Sequence, residues 1–97
     1  MHARVTTFQV QPGKIDEVIG ITRNAVLPDA REQKGFRGHL LLTDRNASKV
    51  IAVSLWEAET DMIASETGGY LPRQGARLAD LISGQTIREH YEVSVQA

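Results

Sequence analysis

Residues 50–57 read Val50-Ile51-Ala52-Val53-Ser54-Leu55-Trp56-Glu57, the most apolar stretch of this 97-residue chain. A short run rich in β-branched and aromatic residues predicts a strand. Its apolar residues fall on both faces, as in a strand covered from both sides. Unbroken alternation puts Ala52 and Ser54 on the face of Trp56 and turns Glu57 the other way, an assignment one β-bulge would overturn. Small residues beside a large ring leave volume for a ligand, so Trp56 and Ser54 are expected to line a pocket. Plain core packing is the alternative.

Working outward, Asp44-Arg45-Asn46-Ala47-Ser48-Lys49 reads as a polar hairpin loop, and Phe36 to Thr43 as the strand entering it. Upstream, Ile15, Val18, Ile19, Thr22 and Val26 recur at helical spacing. Pro28 predicts a kink, or a restart with proline in the first turn of a short second helix. Lys34-Gly35 reads as the end of that piece. Ala3 to Val10 is a further predicted strand, stopped by Pro12-Gly13-Lys14.

Downstream, Thr60 is expected to cap a helix that carries Met62, Ile63 and Ala64 and breaks at Gly68-Gly69. A second helical piece is predicted from about Leu71 to Ile82, ended by Ser83-Gly84. A last strand, Thr86 to Val95, alternates Ile87, Tyr91, Val93 and Val95 with Arg88, His90, Glu92 and Ser94. The order is strand, helix, strand, strand, helix, strand. That is an α+β, ferredoxin-like βαββαβ arrangement with a four-stranded antiparallel sheet. One sheet face would stay uncovered in a monomer, which predicts a homodimer. Residues 1–97 are expected to form one domain.

Composition narrows the function classes. The chain is 41% hydrophobic and 24% charged with a formal charge of −1, which argues against a disordered state. It has no cysteine, so thiolate chemistry and cysteine-ligated metals are excluded. Basic residues are not clustered, which argues against nucleic acid as a partner. No apolar run is long enough for a membrane span and the N-terminal residues do not resemble a signal peptide, so a cytoplasmic location is expected. The phosphate-cradling glycine motifs, G-x-S-x-G and H-E-x-x-H are all missing. His2, His39 and His90 lie in different predicted strands, not at metal-ligand spacing, so no metal and no other cofactor is expected.

His39 interrupts an apolar strand, where a half-buried imidazole could act as a general base. A histidine on a partly solvated face is the plainer alternative. Tyr70 follows the glycine break and could form a pocket rim. Arg73 and Arg77 share a helix face and could meet an anion, or simply be solvated.

Several segments are similar to the antibiotic biosynthesis monooxygenase family of dimeric ferredoxin-like α/β barrels. These are Pro12-Gly13-Lys14, Gly35-Phe36-Arg37-Gly38, Ser54-Leu55-Trp56-Glu57 and His90-Tyr91-Glu92-Val93. The resemblance implies a cofactor-independent monooxygenase acting on a small aromatic or quinol-type substrate held between sheet and helices. In such a site the substrate's own carbanion reduces oxygen. Trp56, Ser54, Thr6 and Phe8 are then the expected substrate-binding residues, and His39, Tyr70 and Arg73 the expected catalytic ones. Trp56 also matches a pocket tryptophan of the family's haem-degrading branch. Thr6 stands where that branch has an asparagine, and Leu71 to Ala76 lacks its histidine, so haem degradation is disfavoured. The alternative function is a non-catalytic dimer that binds a small hydrophobic ligand or is purely structural.

Overall fold

The computed structural model describes all of residues 1–97. Strand β1 spans His2–Val10, β2 Phe36–Asp44, β3 Lys49–Trp56 and β4 Ile82–Glu92. Between β1 and β2 run helix α1 (Ile15–Ile21), a π-helical turn (Thr22–Val26) and α2 (Leu27–Arg31). Helices α3 (Glu59–Thr67) and α4 (Tyr70–Leu78) connect β3 to β4. The sheet order is β2-β3-β1-β4 and every pairing is antiparallel, a ferredoxin-like α+β fold.

Pro28 falls in the first turn of α2, as a restart requires. Its missing amide cannot bond Asn24 and its ring crowds that carbonyl. The chain absorbs this by widening one turn earlier, where the Leu27 amide donates to the Thr22 carbonyl five residues back. Gly35 then turns the chain with φ +80°, and the side chain of Asp61 occupies the space a Cβ would need.

Three sequence expectations are corrected. Thr60 lies inside α3 rather than capping it; the flanking residue is Ala58, extended at φ −135° and ψ 154°, with no side-chain cap. Helix α4 stops at Leu78, and Ile82 already belongs to β4, paired with Val10. Strand β4 ends at Glu92 instead of Val95. Ser83-Gly84 therefore does not precede the last strand but lies within it, beside a bulge that spans Gly84 to Thr86 opposite Phe8. Gly84 takes φ +78° there, a conformation glycine adopts without steric cost.

The helices cover one sheet face and bury two groups of side chains. Phe8, Val10, Val50, Ile15, Val18 and Leu78 pack at one end. Trp56, Met62, Ala30 and Tyr70 pack at the other. On the opposite, uncovered face Leu40, Leu42, Ile87 and Tyr91 are each about half exposed.

Candidate functional site

Between the two packed groups the sheet and helices leave a cavity of about 200 Å³. For scale, a dry apolar cavity of roughly 150 Å³ admits benzene. Its floor is the helix-facing side of the sheet. Arg4, Thr6 and Phe8 come from β1, His39 and Leu41 from β2, Ala52 and Ser54 from β3, and Ile82, Thr86 and Arg88 from β4. Register produces this set: Arg4 sits opposite Ser54 and His90, Thr6 opposite Ala52 and Arg88, and His39 opposite Ser54. The roof comes from Thr22 and Val26 of the π-helical turn and from Tyr70, Leu71, Gln74 and Leu78 of α4.

His39 reaches the cavity because β2 is bulged. Phe36 pairs with Trp56 but Gly38 pairs with Leu55, so Arg37 is an extra residue. The bulge resets the alternation and puts Phe36 and His39 on the same, helix-facing side. Burial pushes the His39 imidazole below its ordinary range, and the nearby Arg4 charge pushes it further the same way. The ring is therefore neutral at neutral pH and can take a proton.

Arg4 is the residue the sequence reading missed. A lone arginine in a Val- and Thr-rich strand gives no local signal of burial, yet its side chain is only 3% exposed. Every hydrogen bond it makes leaves from Nη1: to Ser65 Oγ at 2.7 Å, to Glu66 Oε2 at 3.2 Å and to the Met62 carbonyl at 3.3 Å. Its guanidinium lies 5.3 Å from the centroid of the Trp56 ring, within range of a cation–π contact. Glu66 Oε2 also meets His90 Nε2 at 2.6 Å. Burial pushes the Glu66 carboxyl upward, but the hydrogen bonds from His90 and Arg4 outweigh it and hold the group below its ordinary value.

The expected site residues divide. Thr6, Phe8, His39, Ser54 and Tyr70 line the cavity. Tyr70 is nearly fully buried, which raises its phenol's pKa, so it stands there as a neutral hydroxyl. Two expectations of placement are corrected. Trp56 is fully buried in the core and does not touch the cavity. It packs edge-on against Phe36 at 5.6 Å and Tyr70 at 6.2 Å, in a group that Met62 of α3, Tyr70 of α4 and Ala30 of α2 complete. Arg73 points away, forming two 3.0 Å hydrogen bonds to the Asp29 carboxylate and so tying α4 to α2. No three His, Cys, Asp or Glu side chains are close enough to hold a metal ion.

A helix-covered antiparallel sheet with a partly open, largely apolar cavity, and with a half-buried imidazole and a buried guanidinium on its floor, defines a cavity-bearing ferredoxin-like α+β protein. The antibiotic biosynthesis monooxygenase family profile matches residues 1–70, and the chain belongs to that family. An uncharacterized protein of Mycobacterium tuberculosis is 34% identical over 94 residues, covering 97% of this chain and 41% of its own length. The chain thus spans about two fifths of that relative. Among solved structures, a protein of unknown function from Nitrosomonas europaea superposes with a TM-score of 0.80 at 19% identity, covering 99% of this chain and 91% of that one. A monooxygenase of Streptomyces coelicolor, solved with the ligand nanaomycin D, gives 0.76 at 16% identity over 99% and 89%. A cofactor-independent oxygenase of Streptomyces nogalater gives 0.73 at 18% identity over 98% and 94%. These structural likenesses establish a shared fold.

Proposed function

We propose that the 97 residues act as one domain, a cofactor-independent monooxygenase whose cavity holds a small aromatic or quinol-type substrate. The observation that carries the reading is His39: a half-buried imidazole, kept neutral by partial burial and the Arg4 charge, on the floor of a mostly apolar cavity. Such a base can take the proton of a substrate hydroxyl or activated C–H, leaving an electron-rich anion. That anion supplies the electrons that reduce molecular oxygen, and a carbon–oxygen bond forms. One oxygen atom stays on the oxidised product and the other leaves as water, taking up the protons the substrate gave. Thr6, Phe8 and Ser54 would position the ring, and the neutral Tyr70 hydroxyl would donate to the developing oxyanion. Trp56 and Arg73 would act indirectly, by fixing the sheet–helix packing behind the cavity.

The family to which the chain belongs and the half-exposed apolar residues of the uncovered sheet face both support a homodimer built by packing two such faces.

The test is oxygen uptake with a 1,4-naphthohydroquinone, measured against its uncatalysed oxidation. His39→Gln is expected to lower the catalysed rate by about a hundredfold or more, the usual contribution of a positioned base. Uptake no faster than the uncatalysed rate, with the hydroquinone still bound, would leave a non-catalytic ligand-binding protein instead.

A further inference from the structure

We infer that the cavity selects an aromatic ligand carrying an ionised oxygen group, carboxylate or phenolate, and that Arg4 is the residue that receives it. The inference rests on the cavity being the ligand site proposed above.

The side chain of Arg4 leaves part of its hydrogen-bonding capacity unused within the protein. A guanidinium has five N–H donors, and burying one without acceptors is costly. The Arg4 side chain is 3% exposed, yet all its protein partners sit on Nη1. Nε and Nη2 make no hydrogen bond within the protein, yet they are not sealed off from solvent; the residue forms part of the cavity wall, so these donors are open to a ligand there. Two N–H-bearing nitrogens at the edge of a fixed planar fork match the two oxygens of a carboxylate, or the single oxygen of a phenolate.

The charge balance points the same way. Arg4 and Arg88 both line the cavity and sense each other's charge. Arg88 has no carboxylate partner, and Arg4 shares its carboxylate, Glu66, with His90. With His39 neutral, the wall carries two cations and one carboxylate, with Arg88 exposed to solvent at its rim, so the local field favours an anion. An aromatic anion supplies acceptors for the open Arg4 donors and a charge opposite to the local field, and its ring fills the apolar part between Phe8, Leu41 and Leu78. A neutral ring of the same shape displaces solvent from the Arg4 donors without replacing it as an acceptor.

Helix α3 holds Arg4 in place through Met62, Ser65 and Glu66. Ser65 Oγ accepts from Nη1 while donating to the Met62 carbonyl at 2.6 Å, so one turn of helix holds the guanidinium in place. The Trp56 ring beside it limits rotation.

The experiment is calorimetric titration of the purified chain with 2-naphthoate and its neutral isostere 2-naphthamide. A second pair, 4-nitrophenol at a pH where it is ionised and 4-nitroanisole, separates the phenolate source from the carboxylate source. At least one anion is expected to bind about tenfold or more tightly than its neutral partner, with affinity falling as salt is added. Arg4→Lys, which keeps the charge but loses the fork, is expected to erase most of that preference while leaving the neutral ligand's affinity unchanged. Arg88→Gln, at an exposed position, is expected to narrow it without loss of melting temperature, so the test stands even if the Arg4 variant fails to fold. Equal binding of anions and neutral partners by the unaltered protein would overturn the anion assignment and leave the cavity reading intact. Binding of none of the four would overturn both.

Discussion

The indole Nε1 of Trp56 donates to Ser54 Oγ at 2.9 Å, between two residues on the same strand face. The ring is fully buried, so its one polar atom needs this partner. Ser54 thereby links the core to the cavity it lines. Trp56→Ala is expected to cost about 3–5 kcal/mol, the range for deleting a buried large aromatic. Ser54→Ala leaves the indole N–H unpaired and is expected to cost about 1–3 kcal/mol. Denaturant titration measures both, and a Trp56→Ala loss below about 1 kcal/mol would mean that the ring is not packed as described.

Asp29 gathers three cations or donors from α4: Arg73 with two hydrogen bonds, Gln74 Nε2 at 2.7 Å and Arg77 at 3.7 Å. Asp29→Ala should therefore loosen α2 from α4 and cost about 1–3 kcal/mol, because the largely buried Gln74 amide loses one of its two acceptors and keeps only the Tyr70 carbonyl. Arg73 is half exposed, so solvent screens its pair. Arg73→Ala alone should cost less than Asp29→Ala. Thermal melting of the two variants checks the order, and a larger loss from Arg73→Ala would refute it.

Acid should destabilise the fold in two stages. His39 is held below its ordinary pKa by burial and by Arg4. Asp29 is held low by its Arg73 hydrogen bonds against the opposing effect of burial. Glu66 is held low by His90 and Arg4, whose hydrogen bonds outweigh burial. In each case the folded state binds the proton less readily than the unfolded chain. Stability from these groups is present above the unfolded pKa and lost as pH falls toward the folded one. The His39 stage begins below about 6.5, and the carboxylate stage below about 4. Melting temperature against pH should fall through both, and His39→Gln should remove the upper stage alone. A melting temperature that rises on acidification from neutral pH would contradict the assignment.

The uncovered sheet face offers a direct test of the proposed dimer. Leu40 is 57% exposed and Ile87 56% exposed. Sedimentation should show a dimer at micromolar concentration, and Leu40→Glu combined with Ile87→Glu should yield a folded monomer, since a charge in that interface would be buried unpaired. A monomeric unaltered protein would refute it.

Gly35 combines φ +80° with a Cβ position already filled by Asp61. Gly35→Ala is expected to destabilise by about 1–3 kcal/mol. Because the Gly35 carbonyl accepts the Glu57 amide at 2.7 Å, the change should also disturb the end of β3. Amide exchange at Glu57 reports it, and exchange as slow as in the unaltered protein would count against the strain.

The order of elements was legible in the sequence because it depends on local periodicity. Val50 to Trp56 could only be a strand, Pro28 had to interrupt its helix, and Gly68-Gly69 had to separate two. Thr6, Phe8, His39 and Ser54 all line the cavity, although the family resemblance rather than periodicity pointed to Thr6 and Phe8. What only the tertiary structure decided is which side chains face one another. The extra residue Arg37 turns His39 toward the helices, where unbroken alternation from Phe36 would have sent it to the open face. Helices α3 and α4 close over Trp56 and leave the cavity beyond it, so a ring read as pocket became core. Arg4 is buried by contacts to Met62, Ser65 and Glu66, about sixty residues away in the chain. Side-chain periodicity is a short-range property of one segment, whereas burial and charge pairing depend on register and layering across the fold.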